Sequence, residues 1–257
     1  MQKNLFKTIS FSRYYSILFG YSICLFLWEW LAQSNYIPQR LLPPPSKIVF
    51  AFVEIIPEII TDILFTIYAS ATGLFISIFI SIILSVLMEL NGKIKEFLLP
   101  IIVLTQAIPI IVLAPLFAMW FGFGLLPKIL IVIIVCVFPL LISLYNGMNS
   151  TDKEMVQLMR IMGASNLQII RHVRFPNSLI DFFSGLQIAA TYSVIGAIIG
   201  EWMGGDKGLG LLMLKLKRAF QYDKVFAVIL ITIIITLLYW AIILIIQRIS
   251  IPWKYKK

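Results

Sequence analysis

Apolar residues are concentrated in six long runs along the chain, and shorter polar segments separate each run from the next. A bilayer core of about 30 Å is crossed by roughly 20 helical residues, and each run has about that length. The sequence therefore predicts six membrane-spanning helices, near 15–31, 63–88, 97–121, 127–145, 179–203 and 225–247. The first run lacks a clear small-residue cleavage site, which favours an uncleaved first span over a signal peptide.

The segment 146–178, here called the central loop, is too basic and too amphipathic to continue the apolar runs on either side. In its first half, apolar side chains recur with the spacing of one helical face. This methionine face consists of Met155, Leu158, Met159 and Met162. Methionine adapts to irregular grooves, so the face suits docking on a soluble protein. A helical hairpin resting on the inner leaflet is the alternative interpretation.

The residues after the methionine face predict a turn and then a second helix. Gly163 suits the left-handed backbone conformation that ends many helices. Ser165 and Gln168 have the spacing of a capping box, which starts a helix. Pro176 is expected to end or kink this second helix before the fifth span begins.

Composition predicts the environment of the chain, and the distribution of charge predicts its orientation. With 60% hydrophobic and 13% charged residues, the chain is predicted to be an integral membrane protein. Of its 21 Lys and Arg residues, 13 lie in segments on the side of the N-terminus and 8 on the other side. Because Lys and Arg accumulate in cytoplasmic loops, we expect a cell membrane protein with both termini and the central loop in the cytoplasm. The net charge of +9 is then mainly an orientation signal and implies no nucleic-acid partner.

The loop after the first run is predicted to lie outside the cell and contains a proline cluster at 43–45. Consecutive prolines favour a stiff, extended backbone. Ser46 is expected to cap a short amphipathic helix, 47–56, on the outer surface.

The segment QLMRIMGAS, followed by HVRFP, is similar to the cytoplasmic coupling loop of ATP-binding-cassette importer permeases. The family pattern is a Glu-Ala-Ala triplet, a glycine shortly after it and a later Ile-x-Leu-Pro. Gly163 falls on that glycine and Pro176 on the final proline. Gln157, Leu158 and Met159 stand where Glu-Ala-Ala is usual, so a glutamine replaces the usual glutamate.

Other segments resemble one branch of this family. LLPPPSKIVFAF and IGEWMGGDKGLGLLM look like segments of nitrate, sulfonate and taurine permeases. GLQIAATYSVIGAIIGEWMGG and PLFAMWFGFGLLPK are more similar to permeases for the pyrimidine precursor of thiamine. The resemblance implies import of such a precursor or a related small organic molecule, with a sulfonate, taurine or nitrate-type solute as the alternative.

The resemblance also implies an all-α membrane protein with the type I importer permease fold: one domain over 1–257, with a coupling helix between spans four and five. The residues expected to couple to the ATPase are Gln157, Leu158, Met159, Arg160, Gly163, Ala164, Ser165 and Pro176. Expected partners are a pair of ATPase subunits, an extracytoplasmic solute-binding protein, a second copy of the chain and membrane lipid. The sequence lacks the Gly-x4-Gly-Lys-[Ser/Thr] phosphate loop. ATP and Mg are therefore expected on the ATPase, and no cofactor on this chain.

Polar side chains are few within the predicted spans, and these few are the candidates for a translocation pathway. They are Thr105 and Gln106 in the third span and Gln187, Thr191, Tyr192 and Ser193 in the fifth. Amide, hydroxyl and aromatic groups suit a neutral heteroaromatic solute, and hydrogen bonding between helices is their alternative use. Glu201 and Trp202 are expected at an outer gate, at a contact with the binding protein, or simply at the membrane interface.

Backbone-shaping residues also recur within the spans. The fifth span has a small-residue face, made of Gly185, Ala189, Ser193, Ala197 and Gly200. Such a face lets helices approach closely, either in static packing or against the pathway or a second copy. Pro109, Pro115 and Pro139 weaken local backbone hydrogen bonding and are expected to mark kinks.

An ion-coupled carrier without an ATPase and a membrane-embedded enzyme are the alternative classes of function, and the sequence favours neither. An ion-coupled carrier usually has several carboxylates or histidines within its spans. A membrane-embedded enzyme needs an acid-base or metal-binding group, and the single His172 with the separated Cys24 and Cys136 provides no such spacing. We therefore expect a permease subunit and not an enzyme.

Overall fold

The structure is a computed structural model that describes residues 11–34, 38 and 41–252, with side chains from residue 18. Every regular element within these residues is helical. The helices are α1 (Phe11–Gln33), α2 (Pro45–Ile55), α3 (Ile60–Leu90), α4 (Gly92–Ala107), α5 (Ile110–Phe121), α6 (Leu125–Asn149), α7 (Lys153–Ile161), α8 (Asn166–Ile169), α9 (Phe175–Trp202), α10 (Leu209–Arg218) and α11 (Tyr222–Ser250). A π-helical turn, Ile170–Arg174, joins α8 to α9.

Four helical stretches in the described part of the chain are long and apolar enough to cross a membrane: Ile60–Leu90, Leu125–Asn149, Asn166–Trp202 and Tyr222–Ser250. They correspond to the second, fourth, fifth and sixth predicted runs. The bent pair of α4 and α5 covers the third run, and counting the pair as one span brings the candidate spans to five. α1 covers the first run, but its opening side chains lie outside the described residues. The count of six spans therefore stays a prediction.

The predicted third span is not one straight helix. α4 and α5 meet at Ile108, where the backbone is extended with ψ of 122°, and the two helices are bent by 99°. Pro109 explains the break, because proline lacks an N–H and disfavours a helical conformation in the residue before it. Pro115 and Pro139, by contrast, lie inside continuous helices.

The chain divides into two compact units, which are described separately. One contains the described residues up to Glu58 together with Lys215–Ile231. The other contains Ile59–Leu214 and the described residues from Thr232 onward. The organisation as a single domain over 1–257 stays a prediction.

In the first unit, Glu29 on α1 holds the start of α2. Its carboxylate accepts the N–H of Ser46 at 3.0 Å, the hydroxyl of Ser46 at 2.7 Å and the side-chain amide of Gln33. The prediction of a short helix here is confirmed, but the prediction that Ser46 caps it is wrong. α2 begins at Pro45, behind Pro44, because proline suits the first helical position, where its missing N–H needs no partner.

In the second unit, α6 packs along both α3 and α9 and supplies much of the core. Its residues Val132, Cys136, Leu140 and Leu144 are fully buried. Serine hydroxyls contribute to the contact with α3, since Ser85 donates to the carbonyl of Leu141 at 3.3 Å. Hydroxyl groups at such contacts are typical of helices that pack in lipid.

The small-residue face predicted on the fifth span packs against α6 of the same chain. Ala189, Ser193 and Ala197 are fully buried. A Cβ atom on Gly185 would lie 2.5 Å from the hydroxyl oxygen of Ser143. Of the alternatives left open by the sequence, the structure therefore assigns this face to static helix packing.

Candidate functional site

Helix α7 carries the methionine face on its exposed side. Met155, Leu158 and Met162 are 55%, 57% and 74% exposed. Val156 is the buried residue of the helix. The described part of the chain therefore leaves the methionine face largely uncovered, as a surface for another protein or for lipid.

The end of α7 is fixed by backbone hydrogen bonds around Gly163. The N–H of Gly163 donates to the carbonyl of Arg160, and the N–H of Ala164 donates to the carbonyl of Met159, both at 3.0 Å. These two bonds are the Schellman pattern, in which the residue after the helix is left-handed. Gly163 has φ of +82°, which confirms its predicted role as a helix stop.

Ser165 and Gln168 form the predicted capping box. The N–H of Ser165 donates to the side-chain oxygen of Gln168 at 2.8 Å, and the N–H of Gln168 donates to the hydroxyl of Ser165 at 3.4 Å. The box starts α8 immediately after the glycine turn. Local hydrogen bonds thus set both sides of the turn between α7 and α8.

Of the two outcomes predicted for Pro176, an end or a kink of the second helix, the structure contradicts the end. The backbone stays helical from Asn166 to Trp202, and Pro176 lies in the first turn of α9. Just before it, the N–H of Phe175 donates to the carbonyl of Ile170, which is the five-residue step of a π-helical turn. Proline cannot donate the usual hydrogen bond and crowds the carbonyl four residues back. A wider π-helical turn at this point accommodates it without ending the helix.

The residues expected to couple to an ATPase lie mainly along α7 and the glycine turn. Gln157, Leu158, Arg160, Gly163 and Ser165 are exposed. A cavity of about 330 Å³ opens beside the turn, lined by Met159, Met162, Gly163, Ala164, Gln168 and His172. Pro176 is set back from this surface in α9 and is half-buried. The site is therefore an apolar helical face beside a small groove.

The predicted pathway residues make hydrogen bonds within the protein. Gln106 donates to the carbonyl of Ile134 at 3.2 Å, and Gln187 donates to the side-chain oxygen of Gln247 at 3.2 Å. Gln106 itself remains exposed. Both amides therefore make helix-to-helix hydrogen bonds, which is the alternative use predicted for them. Gln106 is also accessible from outside the packed core.

The hydroxyl groups of the pathway set differ in exposure. Ser193 is fully buried and donates to the carbonyl of Ala190 at 2.8 Å, so it belongs to helix packing. Thr191 is half-buried and donates to the carbonyl of Gln187 at 3.4 Å. Tyr192 is 44% exposed and presents its ring at the surface of α9.

Glu201 is fully buried and anchors the glycine-rich segment that follows α9. The amides of residues 208–210 donate in turn to the side chains of Asp62 at 2.7 Å, Thr66 at 3.0 Å and Glu201 at 2.7 Å. The hydroxyl of Thr66 donates to Glu201 at 2.8 Å. These three side chains and three amides are here called the Glu201 cluster. The carboxylate of Glu201 therefore lies inside the described part of the chain and not at its surface.

Lys128 and Trp202 border the Glu201 cluster. Lys128 is 1% exposed and donates to the carbonyls of Phe123 at 3.0 Å and Gly124 at 2.8 Å. A Cβ atom on Gly205, where φ is +138°, would lie 2.7 Å from the Lys128 amine. The indole N–H of Trp202 is buried with no hydrogen-bond partner among the described residues.

Sequence reasoning selected Glu201 but missed the residues that bind beside it. Asp62 and Lys128 lie near the starts of the second and fourth predicted runs. An ionisable group at the edge of a span needs a partner when it is buried. The position of Asp62 and Lys128 at span edges could therefore have marked them as candidates. Nothing in the amino-acid sequence distinguishes Thr66 from the other hydroxyl residues within the spans.

Residues 73–254 match the family of binding-protein-dependent transport system inner membrane components. The chain belongs to this family. It is therefore a multi-pass inner-membrane permease subunit of an ATP-binding-cassette importer, and not itself an enzyme. The predicted recognition and function at the level of the family are confirmed.

Individual relatives match much of this permease. It is 34% identical over 167 residues to the formylaminopyrimidine transport permease protein ThiX of Halalkalibacterium halodurans, covering 65% of this chain and 67% of ThiX. It is 24% identical over 235 residues to the putative aliphatic sulfonates transport permease protein SsuC of Bacillus subtilis, covering 91% of this chain and 85% of SsuC.

A solved structure supports the same fold. The permease matches inward-facing MetNI, a methionine ABC transporter, with a TM-score of 0.67 and 19% identity. The match covers 75% of this chain and 95% of the other. The expected all-α type I importer permease fold is thereby confirmed.

Proposed function

We propose that the methionine face of α7 docks in a groove of the ATPase subunit that drives this importer. The family implies an ATPase and a binding protein as partners. The observation that carries the proposal is the exposure of Met155, Leu158 and Met162 on a helix whose end is fixed at Gly163. A preorganised apolar face loses little conformational freedom on docking, so more of its contact energy remains as affinity. ATP and Mg belong to the ATPase.

The contact at Gln157 differs in its chemistry from the usual family contact. Gln157 is exposed, and it stands where the family pattern given above has a glutamate. An amide forms neutral hydrogen bonds, which are weaker than those of a carboxylate with a cation. The ATPase partner of this permease is therefore proposed to offer a neutral hydrogen-bonding group at that position.

Two copies of the chain, with both termini and the central loop in the cytoplasm, are proposed to enclose the pathway. The distribution of Lys and Arg supports the orientation. Gln106 and Tyr192 support the pairing, because both are exposed on surfaces that are otherwise strongly apolar. Polar groups at membrane depth usually face a protein partner or a water-filled cavity.

The proposed solute is a neutral nitrogen heterocycle of the aminopyrimidine type. The relative ThiX is named for formylaminopyrimidine. The candidate pathway groups Gln106, Gln187, Thr191 and Tyr192 are all uncharged and suit hydrogen bonding and stacking with such a ring. An aliphatic sulfonate, suggested by the relative SsuC, is the second candidate. A sulfonate is a permanent anion, and none of these side chains carries a positive charge.

The docking proposal is tested by changing one side chain of the methionine face. Leu158→Glu introduces a charge at the centre of the face, while Lys93→Glu is a matched change at an exposed position of α4. We expect Leu158→Glu to lose the ATPase during co-purification in mild detergent and Lys93→Glu to keep it. Retention of the ATPase by Leu158→Glu would contradict docking through this face.

The solute proposal is tested with the assembled transporter. The tagged chain is purified from its own membranes with its ATPase and binding protein and placed in proteoliposomes with ATP inside. Labelled formylaminopyrimidine is expected to accumulate, and unlabelled taurine is expected not to compete. Accumulation of labelled taurine alone would transfer the assignment to the sulfonate class.

A further inference from the structure

Glu89, near the C-terminal end of α3, binds two other elements through one carboxylate. One oxygen forms an ion pair with Arg174 at the end of the π-helical turn. The other oxygen accepts the side-chain amide of Asn149 at the end of α6 at 3.2 Å. The Glu89 side chain is 8% exposed and the Arg174 side chain 21% exposed, so water screens the pair only partly. α3, α6 and the segment leading into α9 therefore meet at Glu89.

The π-helical turn determines which way Arg174 points. An α-helix rotates by about 100° per residue, so a shift of one residue in the hydrogen-bond register redirects a side chain by about that angle. The turn occupies Ile170–Arg174 and ends at the residue that pairs with Glu89. The same turn that accommodates Pro176 thus directs Arg174 toward the end of α3.

Packing links α7 only loosely to the ends of α3 and α6. Val156 is the buried residue of α7. A cavity of about 360 Å³ separates α7 from the end of α6, and its lining includes Met148, Asn149, Val156 and Arg174. A second cavity of about 110 Å³ is lined by Glu89, Arg160, Asn166, Ile169, Ile170 and Arg174. Arg174 forms part of both walls, so its ion pair crosses a region where apolar packing is sparse.

We propose that Glu89 and Arg174 are a positioning pair that transmits displacement of the central loop to α3. When the docked ATPase moves α7, the displacement passes through α8 and the π-helical turn to Arg174, and from Arg174 to Glu89. Asn149 brings the end of α6 into the same movement. The inference rests on the proposed docking of α7, and it names the contact by which that docking moves the spans.

The test uses the full transporter, with its ATPase and binding protein, in proteoliposomes. The single variants are Glu89→Gln and Arg174→Gln, and the reversed pair is the double variant Glu89→Arg with Arg174→Glu. Arg171→Gln is the matched control, because Arg171 is exposed in the same π-helical turn. The measurements are co-purification of the ATPase, the rate of ATP hydrolysis, and solute uptake per ATP.

We expect both single variants to assemble and hydrolyse ATP but to lose roughly fivefold or more in uptake per ATP, the lower end of typical coupling between sites. The reversed pair is expected to recover most of the loss, and Arg171→Gln is expected to match the unmodified chain. A merely structural pair would instead lower assembly and hydrolysis together. Unchanged uptake per ATP in both single variants overturns the proposal, as does an equal loss in Arg171→Gln.

Assembly with the ATPase separates two further outcomes. If the single variants fail to assemble with the ATPase and the reversed pair restores assembly, Glu89 and Arg174 are a structural contact and the proposal is overturned. If the unmodified chain co-purifies with no ATPase, the docking proposal itself fails. That result is distinct from a transporter that assembles yet shows no dependence on Glu89 and Arg174.

Discussion

Thr66 and Glu201 are 135 residues apart in the chain, yet their side chains share a 2.8 Å hydrogen bond at a fully buried site. Thr66 also accepts the N–H of Leu209 at 3.0 Å, so one hydroxyl serves as donor and acceptor at once. The start of α3, the end of α9 and the glycine-rich segment after α9 are thereby joined in the second unit. A buried polar group without its partner loses its hydration uncompensated, so the whole cluster depends on each member.

Thr66→Val is expected to destabilise the permease, because it keeps the side-chain shape but removes the hydrogen bonds of the hydroxyl to Glu201 and Leu209. The loss leaves one carboxylate oxygen of Glu201 and the amide of Leu209 without these partners and should cost about 1–3 kcal/mol. Thr61→Val is the control, since Thr61 is exposed at the start of the same helix. Thermal unfolding in detergent measures both variants. Equal melting temperatures for the two would argue against the Glu201 cluster as a source of stability.

Gly185→Ala is expected to disrupt the contact between α6 and α9. The added Cβ would lie 2.5 Å from the Ser143 hydroxyl oxygen and 2.8 Å from the backbone carbonyl of Pro139, which cannot rotate away. Overpacking of this kind costs about 1–3 kcal/mol. Gly92→Ala is the matched change, because a Cβ there meets no atom within 4 Å. A melting temperature of Gly185→Ala as high as that of Gly92→Ala would show that the two helices are not so close.

A graded series at Gly163 separates backbone conformation from steric contact. No atom lies within 4 Å of a Cβ at this position, and φ is +82°. A left-handed conformation costs an ordinary residue about 1–2 kcal/mol, and asparagine tolerates it best. We expect solute uptake per ATP to stay close to that of the unmodified chain in Gly163→Asn, to be lower in Gly163→Ala and to be lowest in Gly163→Val.

The measurement for this series is solute uptake relative to ATP hydrolysis, with membrane insertion verified for each variant. Gly163→Val is expected to insert and to permit hydrolysis while uptake is lost, because the turn that holds the methionine face is distorted. Normal uptake in Gly163→Val would count heavily against α7 as the element that couples hydrolysis to transport.

Glu29→Ala is expected to loosen the start of α2 in the first unit. The Ser46 amide loses its acceptor at 3.0 Å and should exchange its hydrogen faster. Glu58→Ala removes a carboxylate at an exposed position of the same unit and serves as the control. Hydrogen exchange followed by mass spectrometry over residues 45–55 reports both. No difference between the variants would mean that Glu29 does not hold α2.

Local patterns in the sequence predicted the parts of the site that local chemistry determines. The glycine stop at Gly163 and the capping box of Ser165 and Gln168 form between residues at most a few positions apart. The conformation of both motifs therefore follows from residue type and spacing. The break at Pro109 was predicted as a kink for the same reason, although its angle of 99° was not.

Other features depend on partners that are distant in the chain or on small shifts of register, and the sequence did not reveal them. Ser46 has the right chemistry for a helix cap, but Glu29 satisfies it from another helix. Pro176 has the right chemistry for a helix stop, but a π-helical turn accommodates it. The burial of Glu201 follows from Thr66 and Gly210, which no local pattern connects to it.

The bend at Ile108 has a consequence for what surrounds it. A helix break leaves the last carbonyls of α4 and the first amides of α5 without partners inside either helix. Hydrocarbon offers such groups nothing, and each unpaired group costs several kcal/mol there. Lipid tails are therefore unfavourable neighbours for residues 105–110, and we expect this stretch to face water or a second protein surface.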